Sequence, residues 1–417
     1  VSDAAVRRSI EGVWRIESAR LIGGLVRMVK DVGLAEDLAQ DALVAALETW
    51  PGSGIPDNPG AWLMQTAKRR AIDRFRRDQA ADRKFGVLGY ELEQAQAETP
   101  DLDTALDDPI GDDLLRLMFI ACHPVLATDA RIALTLRLVG GLTTEEIARA
   151  FLAPVPTIQQ RIVRAKRTLA EARVPFETPR PAELTGRLAS VLEVIYLVFN
   201  EGYSATAGDD WVRPALCDDA LRLGRILAEL VPDEAEVLGL VALMELQASR
   251  LKARTARDGT PILLNDQDRS QWDRLLIRRG LTALAKAEWL GGSLGPYALQ
   301  AAIAACHARA WSPQETDWTR ISALYDALGQ LAPSPVIEVN RAVAHAQAFG
   351  PAAGLEILDA IRHPALASYH LLHAVRGDLL AKLGRTDLAR KALTRAAKLT
   401  RNERERALLI ARAEGLG

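Results

Sequence analysis

From about residue 182 to residue 417, apolar residues recur at three- and four-residue intervals, with Gly or Pro at the joints and almost no strand-like alternation. Two shorter stretches, 34–77 and 114–173, carry the same spacing. This periodicity restricts the chain to an all-α fold. At about 150 residues per domain, the length corresponds to roughly three domains. The sequence is 49% hydrophobic and 25% charged, which supplies several cores and excludes wholesale disorder.

Charge divides the chain more sharply than length does. The formal net charge is only -2, so any basic surface is local. Residues 62–77 hold six bases, Lys68, Arg69, Arg70, Arg74, Arg76 and Arg77, and one acid, Asp73. Residues 78–113 then hold eleven acids and two bases, with Gly and Pro and little helical periodicity. A second basic cluster, Arg161, Arg164, Lys166, Arg167 and Arg173, ends the stretch that follows. Three prolines between Val174 and Pro181 then forbid a continuing helix. The expected organisation is a helical domain at 1–80, an acidic linker at 81–113, a second helical domain at 114–173, a Pro-rich linker at 174–181 and a larger helical domain at 182–417.

Three widely spaced cysteines, Cys122, Cys217 and Cys306, do not form a secreted disulfide framework. No uncharged run approaches the roughly 20 residues that cross a bilayer, and the N-terminus lacks a hydrophobic signal core. The expectation is a cytoplasmic protein with no membrane partner.

Two segments carry nucleic-acid chemistry. In LAEDLAQDALVAALETW, Asp37, Gln40 and Asp41 fall at i, i+3 and i+4 and share one helix face, opposite Leu38, Ala42, Leu43 and Ala46. A loop follows, and then GAWLMQTAKRRAIDRFRR places Trp62 ahead of closely spaced bases. Aromatics stack on unpaired bases while cations track phosphates, an arrangement suited to melted DNA; core packing is the simpler role for a lone Trp62. The second segment reads as helix, turn, helix: LTTEEIAR, a break at LAPVP, then TIQQRIVRAKRTL. Ile147 and Ala148 face Ile158 and Ile162, leaving Gln159, Gln160, Arg161 and Arg164 at the start of a recognition helix, where Gln and Arg read adenine and guanine edges.

Taken in order, these segments resemble the extracytoplasmic function (ECF) family of bacterial RNA polymerase sigma factors over roughly residues 10–173. The resemblance implies two sigma domains joined by the acidic linker. It places Asp37, Gln40 and Asp41 on the beta-prime clamp of core RNA polymerase, whose beta subunit is a further expected partner. By the same resemblance, Asn58, Trp62, Lys68, Arg69, Arg70, Asp73, Arg76 and Arg77 face the minus-ten promoter DNA. Thr157, Gln159, Gln160, Arg161 and Arg164 lie where the family reads the minus-thirty-five element. Gln160 departs from the Ser usual in the family.

The third domain narrows the resemblance. YLVFNEGYSAT at 196–206, DQDRSQWDR at 266–274 and GPYALQAAIAACHA at 295–308 resemble a subgroup that fuses a tetratricopeptide-like (TPR-like) domain to the sigma module. Gly377, Leu380, Gly384, Ala389, Leu393 and Ala396 have the spacing of such a hairpin, and 336–360 suggests another. A protein partner of this domain, and a regulatory role for it, are expectations of the resemblance. Two polar-aromatic clusters stand out within it: Asp266, Asp268, Arg269, Trp272 and Asp273, and Asn200, Glu201, Tyr203, Asp209, Asp210 and Trp211. Either could bind a ligand, although helix caps and ion pairs account for such residues more simply.

Cys122-His123, Cys306-His307 and the His370/His373 pair form no four-ligand metal pattern, and no phosphate-binding Gly loop, GxSxG or HExxH is present. The reading is a DNA-binding transcription initiation factor without catalytic residues, metal or cofactor. Its rival is a conventional operator-binding regulator, or helical scaffold, with a sensing C-terminal domain.

Overall fold

The computed structural model describes residues 3–82, 110–151, 153–205, 211–291, 294–362, 366 and 369–416. Most of the acidic segment 78–113 lies outside them. Among the described residues every regular element is a helix, and an isolated antiparallel bridge joins Thr255 and Pro261. No helix among them is long and apolar enough to cross a membrane. The chain divides into two units, Val1–Val194 and Ile195–Gly417.

The first unit opens with helices α1 (Asp3–Val29), α2 (Val32–Ser53) and α3 (Pro59–Asp82). In α1, Ile10, Trp14, Leu21, Ile22, Leu25 and Val26 are buried along one stripe. Ala35, Ala39, Ala42 and Ala46 line α2, small enough for the helices to approach closely, and Leu63, Ala67 and Ala71 complete the core from α3. Asp31 starts α2 by accepting the Leu34 N–H at 2.7 Å.

Helices α4 (Ile110–Ala121), α5 (Thr128–Leu138), α6 (Thr144–Ala150) and α7 (Val155–Glu171) follow. Two glycines end α5. A Cβ on Gly140 would sit 2.5 Å from Leu136 O, and Gly141 has φ +69°, so both positions require glycine. Thr143 and Glu146 then form a reciprocal capping box, with N–H to side-chain oxygen distances of 2.8 and 3.1 Å.

Helix α8 (Pro181–Tyr203) begins at the last of the linker prolines. Its first half belongs to the first unit: Arg187 Nη2 donates to Phe119 O at 2.6 Å, and Ser190 Oγ to Cys122 O at 2.6 Å. Arg131 Nη1 of α5 reaches Ser190 Oγ and, at 2.9 Å, Glu193.

The second unit stacks helical hairpins. Helices α9 (Pro214–Leu230), α10 (Ala235–Ala248), α11 (Arg274–Gly291) and α12 (Pro296–Arg309) lead into α13 (Trp318–Leu331). Next come α14 (Pro335–Phe349), α15 (Pro351–Ala360), α16 (His370–Lys382), α17 (Thr386–Leu399) and α18 (Glu403–Glu414). The expected hairpin residues are in place: Leu380, Ala389, Leu393 and Ala396 are buried, and Gly384 turns the chain at φ +71°. Gly377 admits Leu393, whose Cγ lies 2.7 Å from where a Cβ would stand.

Candidate nucleic-acid interface

The polar face read on α2 is presented outward. Asp37 and Asp41 are exposed and Gln40 is half-buried, while Leu38, Ala42 and Ala46 on the opposite side are buried and Leu43 is partly so. Arg70 Nη1 of α3 approaches Asp41 Oδ1 to 3.4 Å, an exposed pair of the weakly stabilising kind.

Asn58 immediately precedes helix α3. Its side-chain oxygen accepts the Ala61 N–H at 3.0 Å and its carbonyl accepts the Trp62 N–H at 3.2 Å, so it acts as an N-cap. Trp62 is half-buried and meets the fully buried Trp50 edge to face, with ring centroids 5.2 Å apart. One side of the indole is therefore anchored on the core.

Lys68 is half-buried, and desolvation together with Arg27 holds its ammonium below the ordinary lysine range. Arg69, Asp73, Arg74 and Arg76 are exposed; the side chain of Arg77 lies outside the described residues. Two apolar residues among these bases, Ile72 and Phe75, are also exposed, at 45% and 38%. Sequence reading passed over them because helical spacing assigns large apolar residues to the core by default.

The helix-turn-helix forms as read. Ile147, Ala148, Ile158 and Ile162 are buried, and Ala165 and Leu169 continue the inward stripe of α7. Gln159, Gln160 and Arg164 are exposed. Thr157 and Arg161 are half-buried, and Arg161 Nη2 stands 3.1 Å from Asp129 Oδ2 of α5.

One residue next to the outward polar face of α2 is not legible in the sequence. Glu36 is 4% exposed. Arg137 Nε of α5 donates to its Oε1 at 2.6 Å, and Lys166 Nζ of α7 pairs with its Oε2. Burial alone would raise this carboxyl, but Lys166 and Arg137 more than offset it and hold it below the ordinary range. Arg137 also donates to Leu142 O at 3.2 Å, in the turn that enters the helix-turn-helix. Helix α2 is thus tied to both α5 and α7.

Of the residues weighed as metal ligands, Cys122 is fully buried and its sulfur lies 3.2 Å from Thr135 Oγ1. Burial pushes its thiol up to about 12, which keeps it protonated and unreactive at neutral pH. His370 instead pairs with Glu405 at 3.0 Å.

A basic helix beside an outward acidic face, followed by a helix-turn-helix with a polar recognition edge, defines an all-helical DNA-binding protein with two recognition modules. Comparison with known proteins makes the class specific. Residues 16–81 match Sigma-70 region 2, and residues 116–169 match Sigma-70, region 4. Residues 187–288 match a family of unknown function, DUF6596. ECF RNA polymerase sigma factor SigK of Mycobacterium bovis (strain BCG / Pasteur 1173P2) is 31% identical over 155 residues, covering 36% of this chain and 78% of that protein. SigK of Mycobacterium sp. (strain KMS) is 30% identical over 148 residues, 34% of this chain and 72% of its own. An uncharacterized protein of Rhizobium meliloti (strain 1021) is 43% identical over 393 residues, 93% of this chain and 91% of the relative. No solved structure matches the chain. The chain belongs to the ECF RNA polymerase sigma factors, with an additional C-terminal helical domain.

Proposed function

We propose that the chain docks on core RNA polymerase through Asp37, Gln40 and Asp41, and that α3 and α7 engage the minus-ten and minus-thirty-five promoter elements. The observation that carries this reading is the outward placement, within one unit, of the Asp37/Asp41 face and of the Gln159, Gln160 and Arg164 edge. An operator-binding regulator requires the second surface but not the first. The work is done by binding energy, and nucleotide chemistry belongs to the polymerase.

The Glu36 tie adds a step. The two elements are separated by about 25 base pairs, or about 85 Å at ~3.4 Å per pair. A direct ion pair from α2 to α7 holds the two modules together, so Glu36 must release Lys166 and Arg137 before both elements are engaged. The helical second unit is, on this reading, a regulator or support of the sigma module and the seat of a protein contact. Run-off transcription from a duplex promoter with purified core polymerase tests the proposal: a discrete transcript is expected only when the chain is added.

A further inference from the structure

Tyr203, Trp211 and Trp272, from the two polar-aromatic clusters of the second unit, meet at two arginines that neither cluster contains. Arg250 lies just beyond α10, and Arg254 follows a 3-10 turn at Leu251–Ala253. The Arg250 guanidinium carbon is 5.7 Å from the ring centroids of both Tyr203 and Trp272. That of Arg254 is 3.6 Å from Tyr203 and 5.6 Å from Trp211, and Arg269 is 5.0 Å from Trp272. Three guanidinium groups therefore share adjoining aromatic rings. Their exposures are only 8%, 9% and 4% for Arg250, Arg254 and Arg269.

Buried cations are ordinarily paired with carboxylates. Among the described residues none of these three forms a close ion pair, and the carboxylate that acts on Arg269, Glu315, is itself turned to Trp311 N and Ser312 Oγ. Arg269 donates to His307 O at 3.0 Å, Ala310 O at 2.9 Å and Thr316 Oγ1 at 3.0 Å, and Arg250 donates to Gln247 Oε1. All of these acceptors are neutral. Of the described acids in the two clusters, Glu201 pairs with Arg213, Asp266 acts on Arg412, Asp268 accepts from Ser270 and Gln271, and Asp273 caps Leu275 and Leu276. Beside the cluster, burial and then Arg250 and Arg269 push His307 down to about 3, so it is neutral at physiological pH.

Unused hydrogen-bonding capacity points the same way as the charge. Arg254 Nε, Arg269 Nε and Trp272 Nε1 are buried with no hydrogen-bond partner among the described residues. Each of these atoms can only donate. We infer that Arg250, Arg254, Arg269 and Trp272 form a binding site for a small ligand bearing an oxyanion, a phosphate or a carboxylate group, which supplies the missing negative charge and acceptors. Guanidinium forks held against aromatic rings are suited to such a group because their donors are already oriented.

The test uses the full-length chain, titrated calorimetrically with inorganic phosphate and with citrate at constant ionic strength, with chloride as the control. Saturable binding of either oxyanion is expected, with a melting temperature raised by at least about 2 °C. The stronger arm identifies the group as phosphate or carboxylate. Arg254→Met should abolish the response, and Arg254→Lys, which keeps the charge but not the fork, should weaken it at least about tenfold. Should the Met variant fail to fold, the Lys variant carries the test. Arg164→Ala, on the DNA-reading edge, should leave the response intact. Several outcomes overturn the site: no response to either oxyanion, an unchanged response in both Arg254 variants, or a response that Arg164→Ala removes. Asp209 and Asp210 lie outside the described residues. If Asp209→Asn with Asp210→Asn destabilises the protein and creates oxyanion binding where wild type shows none, the chain supplies its own counter-charge and the inference falls.

Discussion

Glu36 accepts a hydrogen bond from Arg137 across 2.6 Å, joining residues 101 positions apart in sequence, and Lys166 closes on the other carboxylate oxygen. This carboxylate ties the helix proposed to meet polymerase to the helix proposed to read DNA. Glu36→Gln removes the charge that both cations face and should cost about 1 to 3 kcal/mol. The modules should separate more readily. Spin or fluorescent labels at Val44→Cys on α2 and Val163→Cys on α7, both exposed, would report the change, since the native cysteines are buried. A longer and broader distance distribution in the Gln variant is expected; an unchanged one would show that the tie is not what holds α2 to α7.

The same contact has a pH signature. Because the Glu36 carboxyl is held below its ordinary value in the folded state, its contribution to stability is present at neutral pH. It is lost as pH falls from about 4.3, the ordinary glutamate value, through the lower folded one. The label distance should therefore stay constant from neutral pH down to about 5 and lengthen only below the ordinary carboxylate range, with Glu36→Gln flattening the transition.

Much of this architecture is legible in the sequence, and the exceptions share a cause. The spacing of Asp37 and Asp41 against Leu38, Ala42 and Ala46 gives an exposed and a buried face, because both follow from helical geometry within one turn or two. Ile147, Ile158 and Ile162 are legible for the same reason. Glu36 is not: it precedes Asp37 in an acidic run, and its burial depends on partners from two other helices. Arg250 and Arg254 look like ordinary ends of a helical segment until Tyr203, Trp211 and Trp272 are folded around them. Asn58 and Trp62 show how local chemistry competes with function, since the first caps α3 and the second rests on Trp50.

Asp41→Arg should abolish co-purification with core polymerase. The fold should persist, because an exposed helix position usually changes stability by no more than about 0.5 kcal/mol, and the pair with Arg70 is solvated. Circular dichroism establishes the folded state, and undiminished co-purification would remove this face from the docking assignment.

Replacing Gln160 or Arg164 by Ala should relax preference at single promoter positions, each by about 1 to 3 kcal/mol. Promoter-library sequencing distinguishes this from a phosphate contact, which weakens all sequences together. Identical base preferences in wild type and both variants would show that these side chains do not read bases.

For Trp62→Ala, a stability loss of about 0.5 to 1.5 kcal/mol is expected from the Trp50 ring contact alone. Transcription from a duplex template should fall further than that loss explains, and a premelted bubble should restore part of it. Equal losses on both templates would confine the indole to a packing role.

The first half of α8 is integral to the first unit through Arg187, Ser190 and Glu193. A chain ending at Arg180 should accordingly melt several degrees below one ending at Val194, because it leaves Phe119 O and Cys122 O without their donors. Equal melting temperatures would show that these bonds contribute little.

The most direct measurement is run-off transcription on a duplex promoter with purified core polymerase, comparing the wild-type chain with folded Asp41→Arg. The account predicts a discrete transcript with the first and none with the second. A wild-type chain that binds the promoter duplex by itself, yields no transcript with core, and behaves identically to Asp41→Arg would contradict it and identify an operator-binding regulator instead.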